Sequence, residues 1–374
     1  MGNTVHVITV PRANYKPGDI INVSDNLKLY YSNSDKYYKL FESQPKKLLS
    51  QIIVYGLQKV GSFIWYDDNA QYWFNHLRKS ILSILYKYPE SIIIATGSPF
   101  QACYQTMKVC EEINYKKYIL DFQDPWSIDP YRTYPFNWMK KNVDRFESKT
   151  LLKSKNNIYV TTGLKNRMER LNQNSIVIEN GHDFIEPIKN KKNTPDKKNK
   201  FIYLGTLANG RDIIFINFLN KLIIEKNLIF DLDVFGRCSR LFTNWVRNSK
   251  NININISFKD PIQRNEISFI SQKYKYGLQL NSEDYPYLVS TKVYEYPALG
   301  LPVLSVNGGG EVEKIIKKNK IGISLNTKKT KDFNLKNIFF ELDSTKMDDL
   351  NDFSIECSWL SRAHQINSYL IDTF

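Results

Sequence analysis

The residues best suited by type and spacing to do chemistry form one short group: Ser290, Thr291, Lys292 and Glu295. Ser and Thr are good N-cap residues, because their hydroxyls accept hydrogen bonds from the first backbone N–H groups of a helix. Lys292 and Glu295 are three residues apart, so they share one helix face at its N-terminal end. A helix N-terminus beside a lysine favours a diphosphate, and a carboxylate one turn on can accept two hydrogen bonds from a ribose diol. The group therefore predicts a nucleotide site, although a Lys–Glu pair at this spacing is more often a solvated surface pair.

A second set of candidate ligands follows the apolar segment Phe201–Leu204 and comprises Gly205, Thr206 and Arg211. A glycine lets the backbone come close to a ligand, and an arginine can bind phosphate oxygens bidentately. We expect Arg211 to contact a diphosphate, the alternative being a surface arginine at the end of a loop.

A third candidate is the motif Asp121–Trp126, which reads Asp-Phe-Gln-Asp-Pro-Trp and follows a predicted strand. Asp124, with Gln123 beside it, is a candidate catalytic group, since polar side chains that follow a strand are expected to reach a ligand. The alternative is that Asp124 caps the following turn, since Asp-Pro is a strong turn former. Both roles stay open.

All three groups are expected at the ends of strands, in a chain where short apolar strands alternate with helices. This alternation is typical of βαβ units and parallel sheets, whose ligands bind beyond the carboxyl ends of the strands. The predicted strands are Val5–Val10, Ile92–Thr96, Tyr118–Asp121, Ile158–Thr161, Ile176–Glu179, Phe201–Leu204, Phe230–Val234, Ile254–Phe258, Tyr276–Leu280, Pro302–Val306 and Gly322–Leu325. Among the predicted helices are Gln263–Gln272, Ser290–Leu299 and Ile355–Leu370.

The composition is that of a globular protein: 374 residues, 42% of them hydrophobic and 24% charged, are enough for two domains. No run approaches the roughly 20 apolar residues of a membrane span, and the N-terminus lacks a secretory-signal pattern, so a cytoplasmic location is expected. The four cysteines and four histidines show no metal-binding spacing, so we expect neither a metal nor a cofactor.

The net charge of +14 leaves several interpretations open. Nucleic acid is not expected as a partner, because the chain shows neither a basic helix nor an RNP-type aromatic strand. Peripheral contact with the anionic inner face of the cell membrane is the better functional interpretation, and a bland compositional bias is the alternative.

The segment Leu288–Val306, LVSTKVYEYPALGLPVLSV, resembles the donor-binding signature of retaining glycosyltransferases of family 4. Asp121–Trp126 is similar to the Asp-Phe-Arg-Asp-Pro-Trp motif of members that act in bacterial surface-polysaccharide pathways. This similarity implies that Asp124 hydrogen-bonds an acceptor hydroxyl or the transferred sugar. The resemblance implies the α/β fold GT-B, in which two doubly wound Rossmann-like domains face an interdomain cleft. It also implies that Glu295 binds the ribose, that Lys292 and Arg211 stabilise the leaving diphosphate, and that no metal is needed.

The chain also departs from the family pattern. Gln123 and Thr206 stand where the family usually has arginines. The family's second glutamate, eight residues before the ribose-binding one, falls at Tyr287, so Glu283 and Tyr287 are the candidates for contact with the donor sugar. The alternative is that backbone amides of Tyr285–Ser290 make these contacts. The opening strand resembles the family's second strand, and the first strand is therefore expected to be missing.

Four regions are predicted: an acceptor-side Rossmann-like domain at 1–185, a basic linker at 186–200, a nucleotide-sugar-binding Rossmann-like domain at 201–352, and a C-terminal helix at 353–374 that packs back on the first domain. The predicted function is that of a retaining, metal-independent hexosyltransferase of cell-surface polysaccharide biosynthesis, making capsule or lipopolysaccharide. It would transfer sugar from a UDP- or GDP-sugar to a glycan or lipid-linked acceptor. A non-catalytic GT-B subunit that binds a partner or membrane, and a nucleotide-sugar epimerase, are the alternatives.

Overall fold

The structure, a computed structural model, describes residues 3–10, 19–32, 63, 66–68, 70–170, 173–184, 199–249, 251–282, 284–306 and 309–374. Residues 186–198 of the predicted linker and the candidate ligand Glu283 lie outside these ranges. The chain divides into two compact units. The first comprises Met1–Tyr159, Met168–Ile176 and Phe374, and the second comprises Val160–Arg167 and Val177–Thr373.

The first unit contains a sheet of order β1-β3-β2 and a sheet of order β4-β5-β6-β7, in which β4, β5 and β6 run parallel. The elements of this half of the chain are β1 (Val5–Thr9), β2 (Ile20–Ser24), β3 (Leu27–Tyr31), α1 (Phe74–Lys87), β4 (Ile93–Gly97), α2 (Phe100–Glu112), β5 (Tyr118–Phe122), α3 (Asn137–Lys153), β6 (Asn156–Tyr159), α4 (Thr162–Met168) and β7 (Asn174–Val177). Helix α1 buries Leu77, Ile81 and Ile84, which share one face at helical spacing, and the first two pack against Val109 of α2.

The second unit is built on a six-stranded parallel sheet of order β11-β10-β8-β12-β13-β14. Its elements are β8 (Lys200–Leu204), α5 (Arg211–Asn220), β9 (Leu222–Ile223), β10 (Phe230–Phe235), α6 (Arg240–Asn248), β11 (Ile254–Lys259), a 3₁₀ turn (Arg264–Glu266), α7 (Ile267–Ser271), β12 (Tyr276–Leu280), α8 (Lys292–Ala298), β13 (Val303–Val306), α9 (Gly310–Asn319), β14 (Gly322–Leu325), β15 (Phe333–Asn334), α10 (Leu335–Asp343), α11 (Met347–Glu356) and α12 (Trp359–Thr373).

The central strand β8 shows why this half of the sequence folds as a covered parallel sheet. Phe201 and Tyr203 enter the hydrophobic core on one face, and Ile202 and Leu204 enter the core on the other. Burial on both faces favours a run of apolar residues in this strand. The six strands of this sheet are predicted from short apolar segments that alternate with helical patterns. All six are confirmed, with ends within one residue of the predicted ones.

The prediction of one continuous C-terminal helix at Ile355–Leu370 is wrong, because the helix is interrupted between α11 and α12. At the break, the His182 backbone N–H donates to the Cys357 carbonyl at 3.1 Å, and the Trp359 N–H donates to the His182 carbonyl at 2.9 Å. The bonds to the His182 segment replace helical ones, so the helix cannot continue through residues 357 and 358.

The segment before β7 explains why the compact units differ from the predicted domains 1–185 and 201–352. The Thr161 hydroxyl donates to the carbonyl of Tyr287, and the Arg167 guanidinium lies 4.4 Å from the centroid of the Tyr287 ring. These contacts join residues 160–167 to the second unit, although these residues precede β7, the last strand of the four-stranded sheet of the first unit.

Within the described ranges, none of the helices is both long enough and apolar enough to cross a bilayer.

Candidate functional site

The second unit contains a cavity of about 470 Å³ where β8, β10 and β11 end. This position, beyond the carboxyl ends of parallel strands, is where α/β sheets bind ligands. The cavity is lined by Leu204, Gly205, Thr206, Phe235, Gly236, Arg237, Pro261, Ile262, Arg264, Ile267, Thr291, Lys292 and Glu295.

Two glycines allow the loops after β8 and β10 to touch at the cavity wall. Gly205 and Gly236 have φ angles of +112° and +143°, which residues with a side chain rarely adopt. A Cβ on Gly236 would lie 2.4 Å from the Gly205 carbonyl oxygen, and one on Gly205 would lie 3.3 Å from the Lys292 Nζ. The glycines thus bring bare backbone next to the ammonium group of Lys292.

Lys292 supplies a buried positive charge to the cavity wall, next to Gly205. Burial lowers the pKa of its ammonium group to about 8, the positive charge of Arg211 adds to the decrease, and Glu295 opposes it. Its Nζ lies 5.4 Å from the centroid of the Tyr203 ring. A desolvated ammonium gains strongly from a bound anion, since the anion restores the charge stabilisation lost on burial.

Arg211 and Thr206 are placed by the loop between β8 and α5. Arg211 is the first residue of α5, after Gly210 with φ +82°, and its charge influences the pKa of Lys292. The Thr206 carbonyl accepts a hydrogen bond from the Tyr203 hydroxyl at 3.0 Å. Of the seven predicted donor-binding residues, Gly205, Thr206, Thr291, Lys292 and Glu295 line the cavity.

The predicted helix start at Ser290 and Thr291 needs correction. Helix α8 begins at Lys292 and has only seven residues, and in the described structure the Thr291 hydroxyl makes no capping bond. The Ser290 hydroxyl accepts from the Lys292 backbone N–H at 3.4 Å, so Ser290 provides the polar contact at the helix start. Because the helix is short, we assign anion attraction at this site to the side-chain cations.

Glu295 is engaged by an arginine that the sequence analysis did not identify. Its Oε1 accepts from Nη1 of Arg264 at 2.6 Å, and Arg264 also pairs with Asp183. The sequence predicts a helix at Gln263–Gln272 that contains Arg264. In the structure it begins a 3₁₀ turn, in which Gln263 and Glu266 form a capping box. The Gln-x-x-Glu spacing of that box was the signal that could have shown the turn.

Of the two candidates for contact with the donor sugar, Tyr287 is not among the described residues that line this cavity. Tyr287 is buried, with 5% of its surface exposed, and packs under the Arg167 guanidinium. Glu283 lies outside the described residues.

The candidate catalytic residues Gln123 and Asp124 belong to the first unit, directly after β5. Gln123 Nε2 donates to Asp121 Oδ1 at 2.6 Å, and the Thr96 hydroxyl donates to Asp121 Oδ2 at 3.2 Å. Burial raises the pKa of Asp121 to about 6. Asp124 lies in the bend after β5, where desolvation raises its pKa and the negative charge of Asp129 adds to the rise.

The first unit also holds a pair of carboxylates that no sequence motif marked. Asp67 accepts from Trp126 Nε1 at 3.1 Å and pairs with Arg132 at 2.8 Å. Asp68 accepts from the backbone N–H of Gln101 at 2.9 Å, and burial, together with the charge of Asp67, raises its pKa to about 7. The Trp of the Asp121–Trp126 motif thus anchors a buried carboxylate network.

Among the residues that the structure describes, no three His, Cys, Asp or Glu side chains come together as metal ligands.

No family model matches this chain, and no curated protein matches it. Solved structures do. Sucrose-phosphate synthase from Thermosynechococcus elongatus superimposes with a TM-score of 0.67 at 11% identity, over 99% of this chain and 89% of the other. The trehalose-6-phosphate protein from E. coli bound with UDP-2-fluoro glucose has a TM-score of 0.58 at 8% identity, over 98% and 91%. The lipopolysaccharide outer core galactosyltransferase WaaB has a TM-score of 0.52 at 13% identity, over 79% of each chain.

Likeness at such low identity concerns the fold. Each unit contains a parallel sheet with helices, and the matched structures are GT-B glycosyltransferases. The predicted fold class is therefore confirmed: the chain has the α/β fold GT-B.

Proposed function

We propose that this protein is a glycosyltransferase that binds a nucleotide-sugar donor in the cavity of its second unit. The observation that carries the proposal is the buried Lys292 ammonium, which lies beside glycine backbone and one helical turn from Glu295, at the carboxyl ends of the sheet. The cavity volume of about 470 Å³ falls within the range of about 300–1,000 Å³ that is usual for small-ligand sites.

In this proposal the diphosphate binds Lys292 and Arg211. The desolvated Lys292 ammonium, with the positive charge of Arg211 near it, would stabilise the negative charge that develops on the leaving diphosphate as the glycosidic bond breaks. The backbone at Gly205 allows the phosphates to approach, since no Cβ stands in the way. Thr206 lies at the same loop and is a further candidate ligand.

The ribose and base occupy the remaining walls. Glu295 accepts hydrogen bonds from the ribose hydroxyls, and the apolar side chains of Phe235, Ile262 and Ile267 cover the base. The donor is a UDP- or GDP-sugar, and no metal or further cofactor takes part. Glu283 and Tyr287 remain candidates for contact with the sugar itself.

For the reaction, we propose transfer of a hexosyl group with retention, as the resemblance to family 4 implies. The leaving phosphate then takes the acceptor proton, so no strong base is required of the protein. Gln123 and Asp124 of the first unit would contact the acceptor or the transferred sugar. The proposed acceptor is a glycan or lipid-linked glycan of a bacterial surface polysaccharide, such as capsule or lipopolysaccharide, reached from the cytoplasmic face of the membrane.

The first test is a thermal-shift panel with UDP, GDP, ADP, TDP and CMP. A ligand that binds only the folded state adds about 2.7 kcal/mol of stability at a hundredfold excess over its dissociation constant. We expect one nucleoside diphosphate to raise the melting temperature. The Lys292→Ala and Glu295→Ala variants should lose that shift while keeping their unliganded melting temperature. No shift with any nucleotide would overturn the proposal.

The second test uses the sugar nucleotide of the base found in the panel. Release of free nucleoside diphosphate, faster when acceptor is added, is expected of a transferase. Isomerised nucleotide-sugar would identify an epimerase, and donor binding without turnover would identify a non-catalytic subunit.

A further inference from the structure

Arg264 joins three parts of the second unit at the rim of the cavity. Its Nη1 donates to Glu295 Oε1 at 2.6 Å, and its Nε donates to Asp183 Oδ1 at 3.1 Å. Its guanidinium carbon lies 4.6 Å from the centroid of the Phe184 ring. The side chain of Glu295 is only 11% exposed and that of Arg264 is 45% exposed, so the arginine holds an inner carboxylate from outside.

The backbone of Arg264 is fixed by its own turn. The Gln263 N–H donates to Glu266 Oε2 at 3.2 Å, which closes the capping box of the 3₁₀ turn. The arginine fork therefore starts from a defined position, and Asp183 and Phe184 restrict its far end. Such a pre-organised side chain loses little further conformational entropy when a ligand arrives.

The pairing leaves Glu295 able to bind a diol. An ionised carboxylate has about four acceptor positions on its two oxygens. The bond from Arg264 uses one of them, on Oε1, and leaves positions on both oxygens for two adjacent hydroxyls. The charge balance points the same way, because Asp183 neutralises the guanidinium and lowers the excess positive charge that it would offer to phosphates.

We propose that Arg264, anchored by Asp183, is a positioning residue for ribose recognition: it orients the Glu295 carboxylate toward the 2′- and 3′-hydroxyls of a bound ribonucleotide. This inference rests on the proposed function and extends it to the selection of ribonucleotides over deoxyribonucleotides. A surface ion pair with no such role would change stability slightly and leave ribose selectivity as it was.

The experiment is calorimetric titration of the full chain with the nucleoside diphosphate that binds in the panel and with its 2′,3′-dideoxy counterpart. The proteins are the wild type, Arg264→Ala, Arg264→Lys, Asp183→Asn, Glu295→Ala and, as a matched surface control, Arg247→Ala. Arg247 lies exposed in the last turn of α6.

We expect Arg264→Ala to weaken ribonucleotide binding by about tenfold or more, the effect of one charge-assisted hydrogen bond. Its affinity for the dideoxy ligand should equal that of the wild type, which also shows that the variant is folded. The ribonucleotide affinities of Arg264→Lys and Asp183→Asn should lie between those of Arg264→Ala and the wild type. A single ammonium nitrogen cannot reproduce the guanidinium fork, and an arginine without its aspartate partner is less ordered. Arg247→Ala should match the wild type.

A double-mutant cycle separates positioning from direct contact. In the Glu295→Ala background, Arg264→Ala should have no further effect on ribose selectivity, because the group that it orients is gone. Equal weakening of both ligands would show that Arg264 contacts phosphate or base, and tighter ribonucleotide binding would show that it blocks Glu295. Either result, or unchanged selectivity, overturns the inference while the proposed function stands. If the wild type binds no nucleotide, the proposed function and the inference both fall.

Discussion

At the scale of single residues, the charge on Lys292 decides how the proposed donor site responds to pH. Its pKa of about 8 lies below the ordinary value of 10.5, so the unliganded protein loses this charge at a pH where surface lysines keep theirs. A bound diphosphate favours the charged form, so binding and protonation are linked.

We therefore predict that the dissociation constant for the nucleoside diphosphate is nearly constant below pH 8 and rises above it, approaching tenfold per pH unit for one linked proton. The ligand itself does not contribute there, because its last phosphate pKa is about 6. Titrations from about pH 7 to pH 9.5 measure the profile.

Lys292→Arg serves as the comparison, because a guanidinium stays charged throughout this range and should bind without pH dependence. Lys226→Met, which removes an exposed lysine elsewhere in the second unit, should keep the wild-type profile. A flat profile in the wild type would contradict the assignment of Lys292 to the phosphates.

The spacing of three residues predicts that Lys292 and Glu295 share one helix face, and both line the cavity. The resemblance to family 4, and not the spacing, favours a ligand site over a surface pair. The sequence could not identify Arg264, whose partners lie 31 and 81 residues away along the chain. The spacing of neighbouring residues indicates which of them share one helical turn. Contacts between residues so far apart along the chain form only when the strands assemble. Gln123 was chosen by motif, and its bond to Asp121 could not be foreseen from the motif alone.

At the scale of elements, the contact between the loops after β8 and β10 determines whether the cavity can form. Gly205 N–H donates to the Phe235 carbonyl at 2.8 Å, and Gly236 stands against the Gly205 carbonyl. A side chain at residue 236 meets both backbone strain and a steric clash.

We predict that Gly236→Ala lowers the free energy of unfolding by about 1–3 kcal/mol through strain alone, and by more because of the clash. It should also weaken nucleotide binding, since Gly205 must move away from Lys292. Urea unfolding and nucleotide titration measure the two effects.

Gly309→Ala is the matched control, because Gly309 also has a positive φ, +131°, but a Cβ there would find its nearest atom at 3.7 Å. It should show the strain without the clash and without loss of binding. If Gly236→Ala were no more harmful than Gly309→Ala, the contact between the two loops would not matter for the site.

Elements with strong patterns were predictable, and elements that depend on distant partners were not. The strands of the six-stranded sheet carry apolar residues on at least one face and alternate with helices, and this pattern is sufficient to predict them. The hairpin of β2 and β3 was missed because β2 enters no core: four of its five residues are exposed and none is buried. Helix α8 was predicted too long at its start, since Ser290 and Thr291 resemble caps in sequence but only Ser290 makes a polar contact there.

At the scale of the whole molecule, the alternation of strands and helices and the resemblance to family 4 were enough to predict the GT-B fold. The division of the chain was not predictable in the same way. Residues 160–167 lie between β6 and β7 of the four-stranded sheet, yet they pack with the second unit through Thr161 and Arg167. A boundary read from composition cannot show such a return of the chain.

The C-terminal helix α12 is tied to the second unit through Arg362, which is only 4% exposed. Its Nε donates to the Asn180 carbonyl at 3.3 Å, and its Nη2 lies 3.4 Å from a carboxylate oxygen of Glu179. Removing the guanidinium leaves a half-buried carboxylate and a carbonyl with fewer partners.

We predict that Arg362→Ala lowers the free energy of unfolding by about 1–3 kcal/mol, the range for lost hydrogen bonds of a charged group. Denaturant unfolding followed by circular dichroism measures the loss. Arg362→Lys should recover part of it, and Arg247→Ala should have almost no effect. Equal stability of Arg362→Ala and the wild type would mean that α12 is held by its apolar contacts alone.

The backbone bridge between α11 and α12 has a consequence for hydrogen exchange. The Trp359 amide is bonded to the His182 carbonyl, and the His182 amide to the Cys357 carbonyl, so each amide is protected by a segment far away in sequence. Both protons exchange with solvent when these bonds open. Movement of residues 182–184 away from the helix break opens both bonds and displaces Asp183 and Phe184. The exchange rate of these two amides would thus set an upper limit, at equilibrium, on how often Asp183 and Phe184 leave Arg264 by this movement.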